Sequence, residues 1–207
     1  MQKCTESGTT ALAMAVFGSR LVLANAGDCR ALLCRNGRVK ELTTDHRPNA
    51  DSEKKRIEAA GGFVDPDGYM CGDLGVSRAI GDHHYTHLKK EDGTGPLIAD
   101  PEITEHQIES GDEFVVLVSD GITDSLTNQT IIDLVRDSLR LSNCPETASK
   151  ALVSAAFKTG VKDNLTAMTI CFKPDPPSKK KIANSKSRLR IDPNSKSFAD
   201  LLRALDD

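Results

Sequence analysis

Apolar and polar positions along the chain follow two rhythms, one of strand type and one of helix type. Residues 9–17 (TTALAMAVF) and 20–26 (RLVLANA) are apolar runs of strand length split by Gly18-Ser19, and they predict two strands joined by a tight turn. A further strand is expected from Arg30 to Cys34, and Asn36-Gly37 is a strong two-residue hairpin signal leading into 39–42. Residues 49–60 (NADSEKKRIEAA) predict a helix stopped by Gly61-Gly62. Between 63 and 112 Gly, Asp and His dominate, and the only regular piece expected is a short segment near 74–80.

A second apolar run, 114–118, passes directly into Ser119, Asp120 and Gly121, with another acid at Asp124. Helical spacing then takes over. Thr127 or Asn128 is placed to cap a helix whose buried side carries Ile131, Val135 and Leu139. Pro145 begins another helix over 145–158, with Gly160 after its end, and 164–172 (NLTAMTICF) returns as a strand. No internal repeat is visible. The order strands, helix, irregular region, strand, helices, strand has no βαβ alternation. It fits an α+β layering of antiparallel sheets with helices packed outside.

Composition narrows the setting. The 207 residues suffice for one domain with a core, and 38% hydrophobic against 28% charged residues reads as a globular chain. No apolar run approaches bilayer length, and MQKCTESGTT lacks a signal-peptide core. The six cysteines (4, 29, 34, 71, 144, 171) form no CxxC pair and read as small core residues in a reducing compartment. An intracellular protein, cytoplasmic and/or nuclear, is expected.

The net charge of −3 is unevenly spread, because residues 173–207 carry nine Lys/Arg against five Asp/Glu. The expected division is therefore a domain over 1–172 and a basic Pro/Lys/Ser-rich tail over 173–207. Phe198, Leu201, Leu202 and Leu205 could form one short terminal helix in that tail. An acidic body suits cations better than nucleic acid. The tail could meet nucleic acid, anionic lipid or an import receptor, but it has no Tyr or Trp for base stacking, and a solubilising role is favoured. The chain is expected to be monomeric.

Four aspartates stand out by position. Asp28 follows Gly27 after an apolar strand, Asp120 ends the 114–118 run, Asp124 lies four residues on, and Asp163 precedes the last strand. Carboxylates grouped at a strand rim repel one another unless a cation lies between them, and Mg²⁺ or Mn²⁺ prefers such an all-oxygen shell. Asp-Gly and Asp-Asn are also common turn dipeptides, so pattern alone leaves both readings open. Neither GxxxxGK[ST] nor GxGxxG occurs, and Ser119-Asp120-Gly121 is not a nucleophile elbow. His83, His84 and His87 have ligand-like spacing, but a solvated loop is the favoured reading.

Six stretches, in order, resemble the metal-dependent type 2C family of protein serine/threonine phosphatases. They are SGTTA (7–11), ANAGDCRALLCRNGRV, LTTDHRPNADSEKKRIEAAGGFV, GDLGVSRAIGD, VSDGITDSL and KDNLTAM. The resemblance implies a four-layer α-β-β-α sandwich of two antiparallel sheets flanked by helices, with a dinuclear Mg²⁺/Mn²⁺ centre. A metal-bridging water would attack phosphoserine or phosphothreonine, so no side-chain nucleophile is implied. Asp120 and Asp163 fall where the family places core metal ligands. Asp28, Asp120 and Asp124 fall where it places ligands of a third, weaker ion. Arg78 and His46 match motif positions near the cleft, with either substrate contact or a structural pairing role.

The likeness has departures. Cys29 stands where the family has Ser, and Thr123 where it has a large aromatic. The family's phosphate-gripping Arg and its Asp-Gly-His-Gly-Gly, whose Asp bridges both metals, lie upstream of the segment matched by SGTTA. Only six residues precede Ser7. The expectation is therefore a sandwich incomplete on its N-terminal side, holding its metals weakly. Its partner would be a phosphoprotein substrate or a kinase. The alternative is a truncated phosphatase-like module that binds without hydrolysis.

Overall fold

A computed structural model describes residues 6–90 and 93–178. The expected terminal helix through Phe198 to Leu205, and the tail beyond 178, lie outside the described residues. In chain order the elements are β1 (Gly8–Thr9), β2 (Ala11–Phe17), β3 (Arg20–Ala26), β4 (Arg30–Arg35), β5 (Arg38–Glu41), α1 (Asp51–Ala59) and β6 (Ile80–Gly81). They continue with β7 (Glu102–Gln107), β8 (Asp112–Val118), α2 (Asp120–Thr123), α3 (Asn128–Ser142), α4 (Pro145–Phe157) and β9 (Ala167–Cys171). Antiparallel sheets with helices make this an α+β protein. The described residues fall into two compact units.

The first unit comprises the described parts of Met1–Arg30 and Leu42–Ile108. Its sheet has the order β2-β3-β7, with Met14 opposite Leu23 and Leu21 opposite His106. Leu21 and Leu23 are fully buried, whereas β2 is largely exposed and Phe17 leaves 60% of its surface in solvent. A second cluster gathers Ile57 of α1 with Met70, Ala79, Leu88 and Leu97. The helix stops as its glycines require: Gly61 takes φ +88°, and the Gly62 N–H donates to the Ile57 carbonyl at 2.9 Å.

Three sequence expectations change in this unit. The run 9–17 is broken at Thr10, so β1 pairs with β6 while β2 pairs with β3. Segment 74–80 contributes only β6 and isolated bridges at Leu74 and Arg78. Residues 102–107 (EITEHQ), read as irregular, form β7. Its polar sequence hides a strand because it flanks β3 on one side only, burying His106 while Ile103 stays 57% exposed.

The second unit comprises Ala31–Glu41 and the described part of Glu109–Asp207. Its sheet runs β5-β4-β8-β9. Phe114, Val116 and Val118 alternate onto the face that packs against α3 and α4, where Ile131, Ile132, Val135, Leu139, Ala148, Leu152 and Ala156 close the core. The hairpin at Asn36-Gly37 has positive φ at both residues, 52° and 77°, as its turn type demands. Thr127 caps α3 by accepting the Thr130 N–H, and Asn143 ends it in the left-handed region at φ 49°.

Two buried or partly buried acids of this unit are paired with arginines. Arg35 bonds Asp112 at 2.7 Å, and Arg136 bonds the partly buried Glu113 at 2.6 Å. The Cys34 thiol also donates to Glu113. Burial, with the nearby Glu113 charge, pushes that thiol far above its ordinary range.

Candidate functional site

Ser119 is the residue that shapes the rim of the second unit. Its N–H donates to the Thr166 carbonyl at 3.1 Å, its hydroxyl donates to the Asn164 carbonyl at 3.3 Å, and the Thr166 N–H donates back to that hydroxyl at 3.1 Å. The end of β8 is thereby stitched to the loop before β9. Asp120 follows Ser119, and Asp163 precedes Asn164. The close approach needs a glycine between them: a Cβ on Gly121 would lie 2.6 Å from the Asn164 carbonyl oxygen and 3.3 Å from the Asp163 Cβ.

Each carboxylate is steadied through one oxygen. Asp120 Oδ1 accepts the Gly121 N–H at 2.9 Å, and Asp163 Oδ1 accepts the Asn164 N–H at 2.7 Å. Asp120 is half-buried, whereas Asp163 and Asp124 are exposed. The single turn of α2 carries Asp124 onward, with its N–H on the Asp120 carbonyl at 2.7 Å. Buried Ile122 anchors that turn in the core. Thr123, which stands where the family has a large aromatic, is half-buried and donates its hydroxyl to the Asp120 carbonyl at 3.2 Å, so it tightens the turn.

The remaining sequence-predicted residues lie in the first unit. Asp28 is buried and faces Arg47 at 3.2 Å. His46 is buried, taking the Gly27 N–H on Nδ1 at 3.1 Å and meeting Glu102 through Nε2 at 3.2 Å. Arg78 bonds Glu53 at 2.6 Å and gives a further N–H to the Asp100 carbonyl at 3.0 Å. Cys29 lies 3.5 Å from the Thr10 hydroxyl, which serves as its hydrogen-bond partner.

Glu53 was not singled out from sequence, yet it is the hub of this unit. It accepts from Arg78, Arg56 and Ser77 although only 2% exposed. Burial alone would raise its carboxyl. The hydrogen bonds from Arg78, Arg56 and Ser77 more than offset this and hold it at about 2. In the sequence it sits inside a charged helical run, where nothing separates one buried acid from its solvated neighbours. Arg47 had one signal: it directly follows His46 in a segment that carries the resemblance.

Asp120 and Asp163 are hard oxygen donors of the kind Mg²⁺ or Mn²⁺ takes. Among the described residues, no three His, Cys, Asp or Glu are grouped so as to hold an ion together. The donor set is right in kind and short in number. Among the described residues, no helix is long and apolar enough to cross a membrane.

A family model described as protein phosphatase 2C matches residues 1–165. A probable protein phosphatase 2C 27 of Arabidopsis thaliana is 46% identical over 185 residues, covering 89% of this chain and 47% of the relative. A probable protein phosphatase 2C 57 of Oryza sativa subsp. japonica is 48% identical over 171 residues, covering 83% and 46%. The chain thus spans about half the length of the curated relatives it matches. Among solved structures, a sex-determining protein of C. elegans superposes with TM-score 0.71 at 26% identity, covering 85% of this chain and 42% of that one. A phosphatase from a pathogenic strain of Toxoplasma gondii gives 0.66 at 28% identity, covering 75% and 49%.

Proposed function

The chain belongs to the protein phosphatase 2C family, and from that premise we propose that it forms part of a metal-dependent phosphoserine/phosphothreonine phosphatase. The family depends on Mg²⁺ or Mn²⁺; here Asp120 and Asp163 would supply oxygen ligands to the core ions, and Asp124 to a further, weaker one. Bound there, such a cation polarises phosphoryl oxygens and makes a coordinated water more acidic. The protein's own part is positional. Ser119 and Gly121 bring two acids from distant stretches to one rim, and the Gly121 and Asn164 N–H groups orient one oxygen of each.

That juxtaposition of Asp120 and Asp163, at positions matching the family's late acidic motifs, carries the reading. Asp28 faces Arg47, so recruiting it to a cation would mean giving up that ion pair. Arg78, with its guanidinium on Glu53 and the Asp100 carbonyl, is read as a pairing group rather than a phosphate contact. With only Asp120 and Asp163 for the core ions among the described residues, the 207-residue chain would bind those ions weakly, and its substrates would be phosphoproteins.

The test is Mn²⁺-dependent hydrolysis of a phosphothreonine peptide by the purified chain, with Mn²⁺ affinity measured by calorimetry and Asp120→Asn as control. Turnover, or Mn²⁺ binding, that the substitution abolishes supports the proposal. Absence of turnover together with no measurable Mn²⁺ binding leaves the chain a non-hydrolysing module and overturns it.

A further inference from the structure

We propose that His46 is a positioning residue, whose Nε2-protonated imidazole locks the peptide of Gly27 and so fixes the turn that presents Asp28. The geometry is a two-sided clamp within the first unit. The Gly27 N–H donates to His46 Nδ1 at 3.1 Å, while the His46 backbone N–H donates to the Gly27 carbonyl at 3.0 Å. The Asn25 side-chain amide gives that carbonyl a second donor at 3.1 Å. One residue thus grips both polar groups of Gly27, and the next residue, Arg47, reaches the Asp28 carboxylate at 3.2 Å.

The turn needs such a grip. Gly27 sits at φ +124°, and a Cβ there would lie 2.3 Å from the Thr10 side chain, so only glycine is accommodated. Glycine reaches that region without steric penalty but has the most freedom to lose there, and the hydrogen bonds around it select this one conformation.

The clamp also dictates the tautomer. Nδ1 accepts the hydrogen bond from the Gly27 N–H, so the ring hydrogen resides on Nε2, where Glu102 Oε2 lies 3.2 Å away as acceptor. The His46 carbonyl is in turn held by the Ser77 N–H at 2.9 Å. Burial, then the Arg78 charge, lowers the imidazole's affinity for a second proton, although Glu53 and Glu102 oppose this. With both ring nitrogens engaged and the residue 2% exposed, no edge of the imidazole is left for a phosphate.

The inference rests on the proposed function only for the purpose of Asp28; the clamp itself needs no metal. It is tested by NMR on the ¹⁵N-labelled chain. Side-chain ¹⁵N shifts should show His46 as the Nε2–H tautomer, and the Gly27 amide should be protected from exchange. Two isosteres then divide the ring's roles, because Asn keeps an acceptor at the Nδ1 position and Gln keeps a donor near Nε2. In His46→Gln the Gly27 amide should exchange about 10-fold faster than in His46→Asn, as expected for one lost buried hydrogen bond. An Nδ1–H tautomer in the unsubstituted chain, or equal Gly27 exchange in the two variants, overturns the proposal. If either variant fails to fold, the tautomer of the unsubstituted chain still decides. None of these readouts uses Mn²⁺, so failure of the phosphatase reading would be seen separately.

Discussion

The carboxylate of Glu53 and the guanidinium of Arg78 meet at 2.6 Å, the acid almost wholly buried and the base partly so. Arg56 and Ser77 complete the shell around that acid at 2.9 and 2.6 Å. Truncating it removes the one anion that two guanidinium groups and a hydroxyl share. Glu53→Ala should therefore destabilise the fold by about 3–5 kcal/mol. In urea unfolding, a Glu53/Arg78 double-mutant cycle should be non-additive. Additive losses would mean the pair does not couple.

The same acid predicts a pH dependence. Its folded value of about 2 lies below the ordinary glutamate value, so the folded state stabilises the ionised form. The associated stability is fully present above the unfolded value and is lost as pH falls through about 4.5 towards 2. It amounts to roughly 3 kcal/mol. Urea midpoints measured across that window should fall for the unsubstituted chain and fall less for Glu53→Gln.

Gly121 predicts a steric effect at the rim. Its missing Cβ is what lets α2 pass the Asn164 carbonyl, which a methyl group would approach to 2.6 Å. Gly121→Ala should cost about 1–3 kcal/mol as local overpacking. It should also weaken Mn²⁺ binding by moving Asp163 away from Asp120. An unchanged thermal midpoint with unchanged calorimetric affinity would contradict the close approach.

Removal of the α3 cap should have a smaller effect. Thr127→Ala leaves the Thr130 N–H without its side-chain acceptor and should cost about 1 kcal/mol, while Thr127→Asp should be near neutral. By contrast, Leu152→Ala, in the core between α4 and the sheet, should cost about 2–5 kcal/mol through the cavity it opens. Thermal midpoints should fall progressively from Thr127→Asp through Thr127→Ala to Leu152→Ala.

Where local chemistry decides conformation, the sequence was enough. Asn36-Gly37 makes its hairpin because both residues tolerate positive φ. Ile131, Val135 and Leu139 recur at helical spacing and are all buried, and Pro145 begins its helix. The motifs around Asp120 and Asp163 are likewise visible in one dimension, which is why the family resemblance could be drawn from residues alone.

Only the tertiary structure decided the rest, because it depends on which distant groups meet. β7 is a strand on account of its bonds to β3, not of its polar sequence. Glu53 looks like any acid of a charged helix until Arg78 and Ser77, more than twenty residues away, close around it. His46 gains its grip on Gly27 across nineteen residues, and Asp120 nears Asp163 through a Ser119 bond spanning forty-five. Hydrogen bonds and ion pairs are short-ranged and directional, so a linear sequence shows the groups available but not their pairing. The acids of the rim were legible by type and position; what holds them in place was not.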